Sequence, residues 1–247
     1  MDHQEAYLSK PPFLCPMEKT PPDSNNGFSL RRIDAIAQSV RWVGARVFLY
    51  HRISMEGGEY LPSTGTALIL PKHRAYRDII LEGVQLYRAT RRLATYVMKA
   101  GLYSLLEAPG GIKIIRSKDV RRIKDRDARR SLIQEAREKN QKTLDYLAWL
   151  YRQGELVISH PEGMRFQDEM GSLQKEIVEH ALLVEQIHGL RIPIIPIGLE
   201  YESFSRPLSR IFFRVGAPLY SDDHADLSEL MVAIEGRIRT LSGFDRA

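Results

Sequence analysis

The sequence alternates between short apolar runs rich in β-branched residues and longer segments of helical periodicity, and this order restricts the fold more than any other feature. It is typical of α/β domains, in which the strands form a sheet and the connecting helices cover it. The strand candidates are 66–70, 94–98, 112–115, 155–159, 192–198 and 211–215. The helix candidates are 76–91, 100–107, 124–152, 173–188 and 225–241. We therefore predict an α/β fold with a mixed β-sheet flanked by helices, and a site at the strand ends.

The first fifty residues have a different composition from the rest. Residues 1–27 contain five prolines and end in Ser-Asn-Asn-Gly, which predicts a flexible arm outside the core. In 28–50, apolar residues recur at helical spacing among arginines, which predicts an N-terminal amphipathic helix. Its apolar side could lie on a membrane or pack on the protein's own core, since the sequence pattern is the same in both cases. The remainder, 51–247, forms the predicted globular domain.

Several classes of protein are disfavoured by what the sequence lacks. The longest apolar stretch, 192–199, is too short to span a bilayer and is interrupted by two prolines. The first residues show neither the basic nor the apolar region of a secretory signal. Cys15 is the sole cysteine, which excludes an internal disulfide and a cysteine-based zinc site.

The charge balance indicates an anionic partner. The chain has 36 Lys and Arg against 31 Asp and Glu, a net charge of +5. This excess suits nucleic acid, an anionic membrane or a phosphorylated substrate. The basic residues concentrate in 113–130, but aspartates interrupt this run and it has no aromatic residue to stack on bases. We therefore interpret the run as a solvated helix face, or as a dock for an acidic protein or a membrane, and predict no nucleic-acid partner.

The segment PKHRAYRDII places His73 and Asp78 in one turn between a strand and a helix. A neutral imidazole can take a proton from a substrate hydroxyl, and a carboxylate on its other nitrogen fixes the tautomer and stabilises the imidazolium. The alternative is structural: a turn histidine beside an aspartate that caps the helix. The spacing alone does not separate the two interpretations.

Three further segments follow in order. In APGGIKIIRS, two glycines lead into a short strand that ends at Arg116, a possible anion contact. In LVISHPEGMRF, Gly163 permits a tight turn and Arg165 can grip a phosphate, while Glu162 could hold that arginine or bond a substrate hydroxyl. The ordinary interpretation of this turn is a surface ion pair. The last segment, IPIIPIGLEYE, is a buried strand bracketed by prolines.

Taken together and in this order, the four segments resemble the four blocks of the glycerolipid acyltransferase family, which includes enzymes that acylate lysophosphatidate and glycerol-3-phosphate. The resemblance spans about residues 60–220 and therefore identifies 51–247 as an acyltransferase domain. It implies that His73 is the general base and Asp78 its orienter. It also implies that Arg116, Glu162, Gly163 and Arg165 help to bind the acceptor's phosphate, whereas 192–197 is mostly structural.

The resemblance further implies a reaction without a metal or another cofactor, in which acyl-CoA or acyl carrier protein donates the acyl group. The acceptor it favours is a lysophospholipid, 1-acylglycerol-3-phosphate, with glycerol-3-phosphate or another lysolipid as the alternative. A membrane product implies peripheral attachment to the cytoplasmic side of a membrane. The rival from another class is a basic lipid- or nucleic-acid-binding module without catalysis, and intact His73 and Asp78 oppose it. Hydrolysis is disfavoured because the chain has no Gly-x-Ser-x-Gly elbow.

The chain departs from the family pattern at several positions. Lys72 stands where asparagine is frequent and Ala75 where serine is. Lys113 and Ile115 change the second block, and Met164 and Phe166 flank Arg165 in the third. The catalytic pair is unaffected, but these changes fall on the acceptor pocket.

Overall fold

A computed structural model describes residues 27–47, 51–100, 107–115, 126–206 and 208–245. The predicted arm therefore lies outside the described residues apart from Gly27. So do Arg116 and nearly all of the predicted helix at 100–107. The predictions that fall on these segments stay predictions.

In the part of the chain that the structure describes, seven strands form one sheet. The strands are β1 (Arg52–Glu56), β2 (Ala67–Pro71), β3 (Ala94–Lys99), β4 (Gly111–Ile114), β5 (Leu156–Ser159), β6 (Ile194–Tyr201) and β7 (Arg210–Val215). Their order is β1-β7-β6-β2-β5-β3-β4, and only β6 and β7 pair antiparallel. All six predicted strands are present, and β1 is the addition.

Five α-helices accompany the sheet within the described ranges: α1 (Asp34–Val47), α2 (Asp78–Thr90), α3 (Arg126–Arg152), α4 (Glu176–His188) and α5 (Leu227–Leu241). Alternate residues of β2 belong to two different hydrophobic clusters, because successive side chains of a strand point to opposite faces of the sheet. Leu68 and Leu70 pack with buried residues of α3, α4 and α5. Ala67 and Ile69 pack with those of α2. The sheet thus lies between two helical layers, as predicted.

The N-terminal helix is shorter than predicted. It begins at Asp34 rather than at residue 28. The preceding segment is held by the domain instead: the ring of Phe28 packs 5.7 Å from that of Tyr146, and Ile33 N–H donates to the carbonyl of Ala108. These contacts provide a hydrogen bond for the backbone and a packing partner for the Phe28 ring, although this segment is not helical. No helix among the described residues has the length and apolar character needed to cross a bilayer.

The sheet topology explains where the site forms. Strands β2 and β5 are parallel neighbours, so their carboxyl ends lie side by side at one edge. The turn after β2 contains the first predicted block, and the loop after β5 contains the third. Loops at the carboxyl ends of parallel strands commonly form binding crevices in α/β folds.

Candidate active site

His73 and Asp78 are in contact in the turn between β2 and α2. His73 Nδ1 lies 3.1 Å from Asp78 Oδ2, and the Asp78 side chain is fully buried. The same carboxylate oxygen accepts the backbone N–H groups of Arg74 and Ala75, each at 2.6 Å. Asp78 Oδ1 accepts the hydroxyl of Tyr201, from β6, at 2.5 Å. One carboxylate therefore holds both the turn and the imidazole, although Asp78 does not cap α2, whose N-cap residue is Arg77.

These contacts set the protonation of the pair. Burial lowers the pKa of His73 below its ordinary value, although the hydrogen bond with Asp78 opposes this. Burial raises the pKa of the Asp78 carboxyl, but the bonds from His73, the Ala75 backbone and Tyr201 outweigh it and hold that pKa below the ordinary value. A neutral imidazole beside a carboxylate results. With Nδ1 bonded to Asp78, Nε2 is the nitrogen that can accept a proton.

A buried ion pair, Lys72 with Glu162, lies next to His73 and Asp78. Lys72 Nζ donates to both carboxylate oxygens of Glu162, at 2.7 and 2.8 Å, and both side chains are fully buried. Glu162 also accepts the backbone N–H groups of His73, at 3.3 Å, and Gly171, at 2.7 Å. Burial lowers the pKa of Lys72, and the hydrogen bond to Glu162 opposes this shift. The structure thus gives Glu162 a lysine partner, where the sequence suggested Arg165 or a substrate hydroxyl.

The Glu162 contacts join the two loops of the site. Lys72 Nζ also donates to the carbonyl of Phe166 at 2.8 Å, and Phe166 N–H donates to the carbonyl of His73 at 3.0 Å. The loop after β5 is therefore tied directly to the backbone of His73. Sequence reasoning noted Lys72 only as a departure from the family pattern, because nothing in a local sequence shows that a lysine is buried.

Gly163 and Arg165 lie in the same loop, at its outer side. Gly163 has φ +63°, a backbone conformation that favours glycine, and a Cβ atom there would also push aside the side-chain amide of Gln174. Arg165 is exposed and stacks over the ring of Tyr76, with Cζ 3.4 Å from the ring centroid. Tyr76 is itself 70% exposed. Arg165 is therefore accessible to a ligand beside the turn that holds His73.

Arg116 lies outside the described residues, but the strand that leads to it is described. Strand β4 is parallel to β3, which is parallel to β5, so β4 and β5 end at the same edge of the sheet. The last residue before Arg116, Ile115, exchanges backbone hydrogen bonds with the buried side chain of Asn140 at 2.9 and 2.7 Å. Two strand spacings separate β4 from β5, roughly 10 Å.

A second histidine, which the sequence analysis did not select, contacts the first. His160 follows β5, and its ring stacks on that of His73 with centroids 4.0 Å apart and planes 25° apart. Its Nε2 lies 3.0 Å from Oε1 of Glu82, a fully buried residue of α2. The sequence signal that could have identified His160 is its position directly before Pro161 and Glu162, in the third block. Over the described ranges, no group of three or more His, Cys, Asp and Glu side chains is arranged to hold a metal ion.

Comparisons with known proteins agree with this architecture. The model of a family described as "Acyltransferase" matches residues 52–200, more than half of the chain. The structure is similar to the crystal structure of PlsC from Thermotoga maritima, a 1-acyl-sn-glycerophosphate acyltransferase. That match has a TM-score of 0.56 and 16% sequence identity, and covers 86% of this chain and 80% of the other. No curated protein sequence matches the chain.

These findings confirm two predictions made from the sequence. The structural match confirms the fold class, a mixed sheet flanked by helices. The family match includes the first three blocks and most of the fourth, and it confirms the family that their order indicated. The chain belongs to the acyltransferase family.

Proposed function

We propose that this acyltransferase moves a fatty acyl group from a thioester to a hydroxyl of a phosphate-bearing lysolipid, 1-acylglycerol-3-phosphate, at a membrane surface. The observation that carries the proposal is the buried His73–Asp78 pair at the carboxyl end of β2, in a chain of this family. The pair supplies a neutral base with an oriented ring, which is what activation of a hydroxyl requires.

In the proposed reaction, His73 Nε2 accepts the proton of the acceptor hydroxyl as its oxygen attacks the thioester carbonyl. A C–O bond forms, the C–S bond breaks, and the imidazolium returns its proton to the departing thiolate. The products are an ester and a free thiol, and Asp78 stabilises the imidazolium throughout.

The acceptor and the donor are tested by one assay. Purified protein is incubated with acyl-CoA or acyl carrier protein thioester, each crossed with lysophosphatidate, glycerol-3-phosphate and a lysolipid without a free phosphate group. We expect the highest kcat/KM for lysophosphatidate. A preference for glycerol-3-phosphate would replace the proposed acceptor with the alternative one. Equal use of the phosphate-free lysolipid would contradict the phosphate requirement.

We propose Arg165 as a contact for the acceptor's phosphate. Its guanidinium is exposed beside the turn that holds His73, and the neighbouring Phe166 N–H bonds the carbonyl of His73. Arginine grips phosphate with parallel charge-assisted hydrogen bonds. Arg116 is proposed for the same role, since β4 and β5 end at one edge of the sheet. In this proposal Glu162 and Gly163 act indirectly, by shaping the loop that presents Arg165.

Replacement of Arg165 by glutamine should weaken the binding of a phosphorylated acceptor by about 1.5–3 kcal/mol, the contribution of a hydrogen bond to a charged group. Donor KM should be nearly unchanged, because the donor does not use this contact. Acceptor KM measured with lysophosphatidate and with a phosphate-free lysolipid separates the two effects. Arg191→Gln is a matched control, since Arg191 also stacks on a tyrosine, Tyr220, at 3.8 Å. Equal losses for both acceptors would contradict a phosphate contact.

We propose that α1 attaches the protein to the membrane. It packs on the domain through a narrow side that contains the buried Ala37 and Gly44, and Gly44 lets Ile80 and Val84 of α2 approach. The apolar residues of its other sides are exposed by 39–55%: Ile36, Val40, Trp42 and Val43. Ile36, Val40 and Val43 follow the i, i+4, i+7 spacing of one stripe. Exposed apolar side chains in such a stripe are suited to burial among acyl chains, and Trp42 to the head-group region.

A double substitution, Val40→Asp with Val43→Asp, should reduce partitioning onto anionic vesicles at least about tenfold, because each buried valine contributes about 1.5 kcal/mol. Vesicle sedimentation measures the effect. Val232→Asp is the control, because Val232 is 70% exposed on a different helix, α5. Unchanged binding by the folded double variant would refute the role of α1. Substitution is sharper than deletion of residues 28–50, which would also remove the buried Arg32 with its bonds to Asp34 and Glu155.

A further inference from the structure

The catalytic pair has a second imidazole–carboxylate pair at its side. Glu82 lies one helical turn after Asp78 in α2, so the two carboxylates face the same way. His160 and His73 follow the adjacent parallel strands β5 and β2, so the two rings come together. The result is two parallel pairs, His73 with Asp78 at 3.1 Å and His160 with Glu82 at 3.0 Å.

The second pair is as enclosed as the first. The Glu82 side chain is fully buried and that of His160 is 12% exposed. Within the described residues, Glu82 Oε2 has no hydrogen-bond partner. A buried carboxylate needs a compensating positive charge, and His160 is the side chain in contact with Glu82 that can carry one. Tyr96, from β3, is half-buried near Glu82, and its hydroxyl donates to the carbonyl of Ile79.

We propose that His160 and Glu82 form a positioning pair for the catalytic base: the stacked His160 ring fixes the plane of His73, and its positive charge keeps His73 in the proton-accepting form. This inference rests on the proposed function, because it assigns a base role to His73. His160 acts through His73 and is not itself a catalytic residue. Neither the family match nor the sequence segments assign it any role.

The charges around His160 support this assignment. Burial lowers the pKa of His160, but the contact with Glu82 and the nearby Asp78 and Glu162 outweigh it and raise the pKa above its ordinary value. Conversely, His160 adds to the effect of burial in lowering the pKa of His73. The carboxylates that act on the two rings are Asp78 and Glu82 from α2 and Glu162 from the β5 loop. The titratable groups around these carboxylates come from the end of β2, from β3 and from β6: Lys72, Tyr96 and Tyr201.

The test is the pH profile of kcat/KM in His160→Phe, which keeps an aromatic ring on His73 and removes the charge. A base must be neutral, so activity falls on the acid side as His73 takes up a proton. Without the neighbouring cation, we expect the acid midpoint to rise by about one pH unit. Below both midpoints this makes the variant up to about tenfold less active than the wild type, with the alkaline plateau nearly unchanged.

Two further variants serve as a substitute for His160→Phe, should it not fold, and as a control. Glu82→Gln/His160→Phe removes the carboxylate that the single change would leave unpaired. A smaller rise in the same direction is expected from it, because the Glu82 charge, which raises the pKa of His73, is lost together with the larger lowering effect of His160. His180→Phe is the matched control, because His180 is also a buried histidine but packs near Tyr151, with centroids 6.4 Å apart, and not on His73. Its acid midpoint should equal that of the wild type.

A titration of the His73 ring by NMR in the substrate-free protein gives a readout independent of turnover. We expect its midpoint to rise in His160→Phe in parallel with the kinetic one. An unchanged or lowered midpoint in both measurements would overturn the inference. If the wild type transfers no acyl group, the proposed function fails, yet the NMR titration still tests whether His160 controls the protonation of His73.

Discussion

Replacement of His73 by alanine is expected to reduce acyl transfer by a hundred- to ten-thousandfold, on the order of what general-base catalysis contributes. The imidazole has the geometry of a base: one nitrogen bonded to the buried Asp78 carboxylate and the other available to the acceptor hydroxyl. No other group is assigned to take this proton. Initial rates at saturating donor and acceptor measure the loss.

The fold should persist in this variant, since the Asp78 carboxylate would still accept the N–H groups of Arg74 and Ala75 and the hydroxyl of Tyr201. His188→Ala, in the last turn of α4, is the control and should keep full activity. Asp78→Asn should also be severe, because it removes the charge that stabilises the imidazolium. Retention of more than about a tenth of wild-type turnover by His73→Ala would rule out the base assignment.

The largest effect on stability is expected from Lys72→Met. This change leaves the buried Glu162 carboxylate without its cation, and breaking one side of a buried ion pair costs about 3–5 kcal/mol. Urea unfolding followed by circular dichroism measures the difference. The loop after β5 should loosen at the same time, because Lys72 also bonds the carbonyl of Phe166.

Two variants show whether the loss comes from the unpaired carboxylate. In Lys72→Met/Glu162→Gln, the charge is removed with its partner, so most of the lost stability should return. In Lys139→Met, which breaks an exposed pair with Glu135 at 2.6 Å, the change should stay within about 0.5 kcal/mol. A Lys72→Met variant as stable as the Lys139→Met variant would show that the buried pair does not hold the loops together.

The sequence predicts those strands and helices whose own residues are buried in a recognisable pattern. Strands β2 and β5 are buried throughout and appear as apolar runs. Strand β1, with the sequence RISME, was missed because it is an edge strand with no fully buried residue. The start of α1 was misplaced because Phe28 and Leu30 continue the apolar spacing while packing against the core from a non-helical segment.

The same distinction applies to the site. His73 and Asp78 are five residues apart in one turn, so their contact could be predicted from spacing. Lys72 and Glu162 are separated by 90 residues, and His160 and Glu82 by 78. These contacts exist only because β2 and β5 are neighbours in the sheet and α2 covers one face of it. No local pattern contains that information, and the family resemblance supplied the order of the blocks without the partners of their side chains.

The most direct test of the central proposal is a count of products in a single reaction. Wild-type protein, a labelled acyl thioester and lysophosphatidate are incubated in mixed micelles, and mass spectrometry and a thiol reagent quantify the diacyl product and the released thiol. Direct transfer to the acceptor hydroxyl predicts one diacyl product for each thiol, with both lost in His73→Ala. Thiol release with free fatty acid in place of the diacyl product, or product formation undiminished in His73→Ala, would contradict the account.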